Sequence, residues 1–123
     1  MDHAIGVSDG TTALQWALML CAVVHGDKLI TVSHTCFSAA EAIAPVGARP
    51  IFVGVDPGTY AMDVTQIEAL ITDGTQAVEP VHLCGKPAAK VQTRTVPTRA
   101  RHWSGHSPAN LLPRAAGIAV PGL

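Results

Sequence analysis

Apolar and polar positions follow two rhythms along residues 1–85. Ala4–Ser8 is a short apolar run and reads as a buried strand. Thr11–Val24 reads as a helix, with Leu14, Leu18, Cys21 and Ala22 on one face and Trp16, Leu20 and Val23 on another. A helix apolar on two sides is packed between layers rather than laid on a surface. His25-Gly26-Asp27 closes it, with the glycine placed as a C-cap. Lys28–Ser33 (KLITVS) is a β-branched strand, and Ser38–Val46 (SAAEAIAPV) is an alanine-rich helix ending at Gly47. Arg49–Asp56 (RPIFVGVD) is a further strand, closed by a Pro57-Gly58 turn. Asp63–Ile71 (DVTQIEALI) is a helix that Asp63 caps, and Ala77–Cys84 (AVEPVHLC) is the last strand. Strands alternating with helices predict an α/β fold with a partial, mainly parallel sheet and flanking helices.

The rhythm stops at Gly85. Residues 86–123 carry no period of 2 or 3.6, apart from a weak apolar end at Ala115–Val120. Charge changes at the same place. Residues 1–85 hold nine acidic residues against Lys28 and Arg49, whereas 86–123 hold six basic residues and no acidic one. Two units are therefore expected, an α/β unit over 1–85 and an irregular, basic, proline-rich tail over 86–123. Such a tail suits nucleic acid or an anionic partner, but it lacks aromatic interleaving and any nucleic-acid motif. Three cysteines do not form an even disulfide framework, which points to a reducing, cytoplasmic setting. The longest apolar run, Ala17–Val24, is too short to span a bilayer, and the Met-Asp-His-Ala start has no signal-like basic region.

In a parallel sheet, ligands bind beyond the carboxyl ends of the strands. Ser8-Asp9-Gly10-Thr11-Thr12 falls at such an end and opens a helix, whose free N–H groups and positive dipole end suit a phosphate. An ordinary Asp or Thr N-cap explains the same residues. His34-Thr35-Cys36 and His82-Leu83-Cys84 repeat an H-x-C spacing at two strand ends. They fit a His₂Cys₂ zinc site in principle, although the usual C-x₂-C spacing is missing. Plain buried cysteines, or a Cys36 nucleophile with His34 as its base, are the competing readings. Glu41 and Glu68 read as solvated or capping residues, and Asp56 and Asp63 as turn residues.

The string AIGVSDGTTALQWAL…GDKLITVSHTCFSAAEAIAPVGARPIFVGVDPGTYAMDVTQIEALIT…QAVEPVHLCGKPA, from His3 to about Ala88, resembles the DegT/StrS-type sugar aminotransferases. These are pyridoxal 5′-phosphate (PLP) enzymes of the aspartate-aminotransferase fold. The resemblance implies part of their large domain, a homodimer, and transfer of an amino group from an amino-acid donor to a nucleotide-linked keto sugar. It sets Gly10, Thr11 and Thr12 around the PLP phosphate. It also sets a residue against the pyridine ring just after S-H-T, where the family has an aromatic: here either Cys36 or, by a local shift, the adjacent Phe37.

The family's Schiff-base lysine and ring-nitrogen carboxylate follow the segment matched here by GKP. After Gly85 this chain has no acidic residue, and Lys86 and Lys90 stand in the wrong place for the lysine. A fragment inactive by itself is expected, with apolar helix faces such as Trp16/Leu20 left uncovered. The tail is expected to be read out of frame. If Ser104 uses a TCN codon, shifting His102-Trp103-Ser104-Gly105-His106 by one nucleotide permits Gly-Leu-Val-Ile, which the family carries just before the carboxylate that is missing here. A non-catalytic binding module with a basic tail, and a zinc domain using His34, Cys36, His82 and Cys84, are the alternatives.

Overall fold

The computed structural model describes residues 5–88 and the strand backbone of 101–102. Lys28–Val32 forms β1, whose KLITV sequence is apolar to both sides because both of its faces are covered. It pairs in parallel with β2 (Arg49–Val53) on one side and with β3 (Thr75–Val78) on the other. Arg101–His102 add a short β4 beside β3, giving the order β2-β1-β3-β4, all parallel. This two-residue strand lies within the segment read from the sequence as irregular. The remainder of the basic tail, Ala115–Val120 included, lies outside the described residues.

Successive strand residues point to opposite faces. Leu29 and Ala77 pack with Leu14 and Leu18 of α1 (Gly10–Leu20) and with Ala42 and Ile43 of α2 (Ser38–Ile43). Ile30, Val32, Val53 and Val78 face the other way, onto Met62 and onto Ile67 of α3 (Ile67–Leu70). The sheet thus separates two apolar clusters. α2 tightens into a 3₁₀ turn over Ala44–Val46 and stops at Gly47, in the left-handed region at φ 75°. Asp63 accepts from Thr65 N–H and starts the turn into α3, as its sequence position predicts. Among the described residues, no helix is long and apolar enough to cross a membrane.

Hydrogen bonds close the amino edge of the sheet. Lys28 N–H donates to Gly74 O (2.8 Å), Arg49 N–H to Asp27 O (2.8 Å) and Gly26 N–H to Gly47 O (3.0 Å). The His25 ring fills the space beside Gly47, where an added Cβ would sit 2.6 Å from its Nδ1.

Four expectations are corrected. Ile5–Val7 form no strand, because they have no ladder partner among the described residues; Ile5 is 78% exposed. The outer face of α1 is not packed between layers: Trp16, Met19 and Leu20 are each about half exposed. Their exposure agrees with the uncovered helix face expected of a partial domain. β3 covers Thr75–Val78 rather than AVEPVHLC; the last bond to β1 runs from Glu79 N–H to Ile30 O (2.8 Å), and Pro80 after it has no N–H for the opposite edge.

The fourth correction is where α1 ends, at Leu20 rather than Val24. Ala22 N–H donates to Met19 O (2.9 Å) and Val23 N–H to Leu18 O (3.1 Å), with Ala22 at φ 56°. This is a Schellman stop, completed by Leu18 and Val23, which are buried in the same cluster. An alanine occupies the left-handed position that usually holds glycine. Ala22→Gly is expected to raise unfolding free energy by about 1 kcal/mol in chemical denaturation, since Ala22 is exposed and loses no packing. A neutral or destabilising result would count against this account of the stop.

Candidate functional site

The helices bring their N-termini to the edge where the strands end. Gln76 Nε2 donates to Cys21 O (3.5 Å), which ties the C-terminal end of α1 to the start of β3. From there α1 runs back antiparallel to the strands, and at about 1.5 Å per residue it carries Gly10 to the carboxyl edge. α2 begins beyond the end of β1 and returns to Gly47 at the amino edge. The sequence placed Ser8–Thr12 at the end of an Ala4–Ser8 strand; that strand is not formed, and the turn stands here as the start of α1 instead.

Asp9 is the N-cap of α1. Its Oδ1 accepts from Thr12 N–H (2.8 Å), and Ser8 Oγ donates to its Oδ2 (2.8 Å). These bonds, Thr12 N–H first, hold its carboxyl below the usual carboxylate range. The Ser8 and Thr12 hydroxyl oxygens lie 3.0 Å apart. The capping reading is thus observed, with Gly10, Thr11 and Thr12 half-buried in the first helical turn.

Cys36 and Phe37 occupy the short link between β1 and α2, and Phe37 is 76% exposed. The Cys36 thiol is exposed and held below its ordinary range, first by the Ser38 hydroxyl and then by the Ser38 backbone N–H. Ser38, not His34, is the group acting on that sulfur, so the His34–Cys36 dyad is not formed.

The zinc arrangement is also not formed. Among the described residues, no group of three or more His, Cys, Asp or Glu side chains could hold a metal ion. Repeated H-x-C spacing does not fix side-chain direction. His82 turns into the core, where its Nδ1 accepts from Ala88 N–H (2.8 Å), while Cys84 is exposed at φ 51°.

Two features at this edge escape a motif reading. His34 and Tyr60 bring their ring centroids to 5.9 Å across the loops that follow β1 and β2. Glu79, at the end of β3, is only 2% exposed, and its Oε2 has no hydrogen-bond partner among the described residues. Its backbone is fixed from both sides, since its N–H reaches Ile30 O and its carbonyl accepts from Thr31 Oγ1 (3.2 Å). Burial pushes its carboxyl up to about 8, so the side chain is neutral at pH 7. The signal available in the sequence was its parity with Ala77, which puts a carboxyl on an inward position of an apolar strand.

The chain matches the sequence profile of the DegT/DnrJ/EryC1/StrS aminotransferase family over residues 1–99. It is 46% identical over 86 residues to the UDP-N-acetyl-3-dehydro-alpha-D-glucosamine 3-aminotransferase of Acidithiobacillus ferrooxidans, covering 70% of this chain. It is 43% identical over 86 residues, again 70% of this chain, to the GDP-perosamine synthase of Caulobacter vibrioides. The chain spans 23% of the length of each of these relatives. Its fold superposes on 3-amino-5-hydroxybenzoic acid synthase with a TM-score of 0.81 and 30% identity, covering 85% of this chain and 28% of that one. The PLP form of a putative sugar aminotransferase from Streptococcus pneumoniae gives a TM-score of 0.68 at 31% identity, covering 71% and 22%.

Two outcomes follow from the site's electrostatics. The folded state holds the Glu79 proton more tightly than the unfolded chain, whose carboxyl keeps the ordinary value of 4.5. Stability from this group is full below about 4.5 and is lost as pH rises through about 8. Denaturation midpoints of Glu79→Gln should therefore change less across that window than those of the unaltered chain, and equal slopes would contradict the assignment. Separately, Ser38→Ala should move the pH midpoint of Cys36 alkylation upward, and an unchanged midpoint would show that Ser38 does not set it.

Proposed function

Since the chain belongs to the DegT/DnrJ/EryC1/StrS aminotransferase family, we propose that it is the phosphate-cradling part of a PLP-dependent aminotransferase for a nucleotide-linked keto sugar. The observation that carries this reading is the place of Gly10-Thr11-Thr12, in the first turn of an 11-residue helix at the carboxyl edge of a parallel sheet. Backbone N–H groups and the positive end of the helix attract a phosphate there, and two threonine hydroxyls add donors. The residues fit the phosphate end of PLP. Cys36 and Phe37, exposed on the same edge, supply a wall for the pyridine ring. The UDP- and GDP-linked compounds named for the relatives support a nucleotide-linked substrate. When bound, PLP supplies the electron sink for moving an amino group from an amino-acid donor to a sugar ketone.

The reactive end of PLP has no counterpart among the described residues. Lys28 sits at the amino edge, where its Nζ donates to Thr72 Oγ1 (3.1 Å). Lys86 is exposed beyond the Leu83–Gly85 turn. No acidic residue follows Glu79 in the sequence. We therefore read this chain as holding and orienting the cofactor phosphate without turnover, in a homodimer of the kind the resemblance implies. The break in charge and periodicity at residues 86–90 is read as a change of frame, which the coding DNA tests directly.

Equilibrium dialysis against pyridoxine 5′-phosphate, which has no aldehyde to react with surface lysines, is the test of binding. It should bind, pyridoxine should not, and a Thr11→Val/Thr12→Val double variant should lose about tenfold or more in affinity. With PLP, glutamate and a nucleotide-linked keto sugar, the chain should show no turnover. Equal binding of pyridoxine, or measurable transamination, would overturn the reading.

A further inference from the structure

Tyr60 is a large aromatic residue in an unfavourable place. Its backbone lies at φ 56°, a conformation that costs any residue with a Cβ and that glycine adopts freely. Tyr60 is 58% exposed, so burial among the described residues does not compensate. The loop nevertheless holds it firmly. Tyr60 N–H donates to Asp56 O (2.7 Å), Asp56 N–H to Ala61 O (2.9 Å) and Thr59 N–H to Asp56 Oδ1 (2.7 Å). An antiparallel bridge joins Val55 to the buried Met62 just beyond. Among the described residues, packing gives no account of Tyr60.

Its neighbour narrows the choice. The His34 ring lies 5.9 Å away, tilted by 34°, and His34 is exposed as well. β1 and β2 are adjacent and parallel, so their loops set these two rings side by side on the edge that carries Gly10-Thr11-Thr12. Two exposed rings in a fixed relation, tilted by 34° to each other, offer aromatic faces on which a further ring can stack. Asp56, which anchors the loop, is held below the usual carboxylate range, first by the Thr59 hydroxyl and then by Thr59 N–H. An ionised carboxylate at that point disfavours a phosphate and tolerates an uncharged ring.

We propose that His34 and Tyr60 form a stacking platform for the nucleobase of a nucleotide-linked ligand. The proposal rests on the reading of a nucleotide-linked substrate given above and adds where its base sits. Stacking accepts any base, which fits relatives named for both UDP- and GDP-linked compounds. The base would lie beyond β1 and β2, at the side of the sheet away from β3.

Tyr60 is the chain's single tyrosine, so incorporated 3-fluorotyrosine gives one fluorine NMR resonance. That resonance in the full chain should shift on adding UDP or GDP and stay in place with ribose 5-phosphate, which has no base. Ligand-observed saturation transfer to the base protons should survive in Tyr60→Phe. In Tyr60→Gly, which relieves the backbone, affinity should fall about tenfold or more. No shift with either nucleotide, an equal shift with ribose 5-phosphate, or undiminished binding by Tyr60→Gly would overturn the platform. Pyridoxine phosphate binding separates the two readings. If it succeeds while the nucleotides fail, only the platform falls; if it fails while they bind, only the cofactor reading falls.

Discussion

The structure depends on β1 being covered on every side. Leu29 and Ile30 are fully buried on opposite faces, and parallel neighbours occupy both edges of the strand. Two clusters on opposite faces of the sheet, one under α1 and α2 and one under α3, are joined through β1 by Leu29 and Ile30 and beside it through β3 by Ala77 and Val78. The one polar side chain inside β1 that is fully buried, Thr31, has to find a partner, because an unsatisfied buried hydroxyl is costly. It finds the carbonyl of Glu79, which fixes the end of β3 and with it the position of the buried carboxyl.

From that frame the carboxyl edge acquires its chemistry by direction alone. Helices that return antiparallel to parallel strands must present their N-termini where the strands stop. The positive helix ends, the exposed Cys36 thiol and the His34–Tyr60 pair thus share one edge without any single motif gathering them. Asp9 introduces a tension. It is an ionised cap on the same turn proposed to hold a phosphate, so it organises the amides while contributing like charge beside the anion.

The legible parts of the sequence were those where one physical signal dominated. KLITV could only be a strand buried on both faces, Gly47 could end a helix after Pro45, and Asp63 could cap one. The stop of α1 was hidden because an alanine takes the left-handed position, and the information lies instead in the Leu18–Val23 contact. Ile5–Val7 looked like a strand because apolarity is local, whereas a ladder needs a neighbour. The paired H-x-C spacings suggested zinc because spacing gives reach but not direction, and His82 points inward. Gly10-Thr11-Thr12 and Asp9 were visible as a helix start, and their place at the carboxyl edge follows from chain direction. Tyr60 was invisible as a special residue, since nothing in PGTY announces a left-handed tyrosine.

The hydrogen bonds that seal the amino edge have a consequence for motion. Lys28, Arg49 and Gly26 each donate across that edge, and the close approach of His25 to Gly47 leaves no room to loosen it. The opposite edge is closed mainly by short loops. Amide protons at the starts of the strands should therefore exchange with solvent only through wide opening, while those just beyond the strand ends exchange through small local excursions. A molecule that settles on the carboxyl edge would slow the second group and leave the first untouched, so exchange protection along the strand axis reports which end of the sheet a ligand has reached.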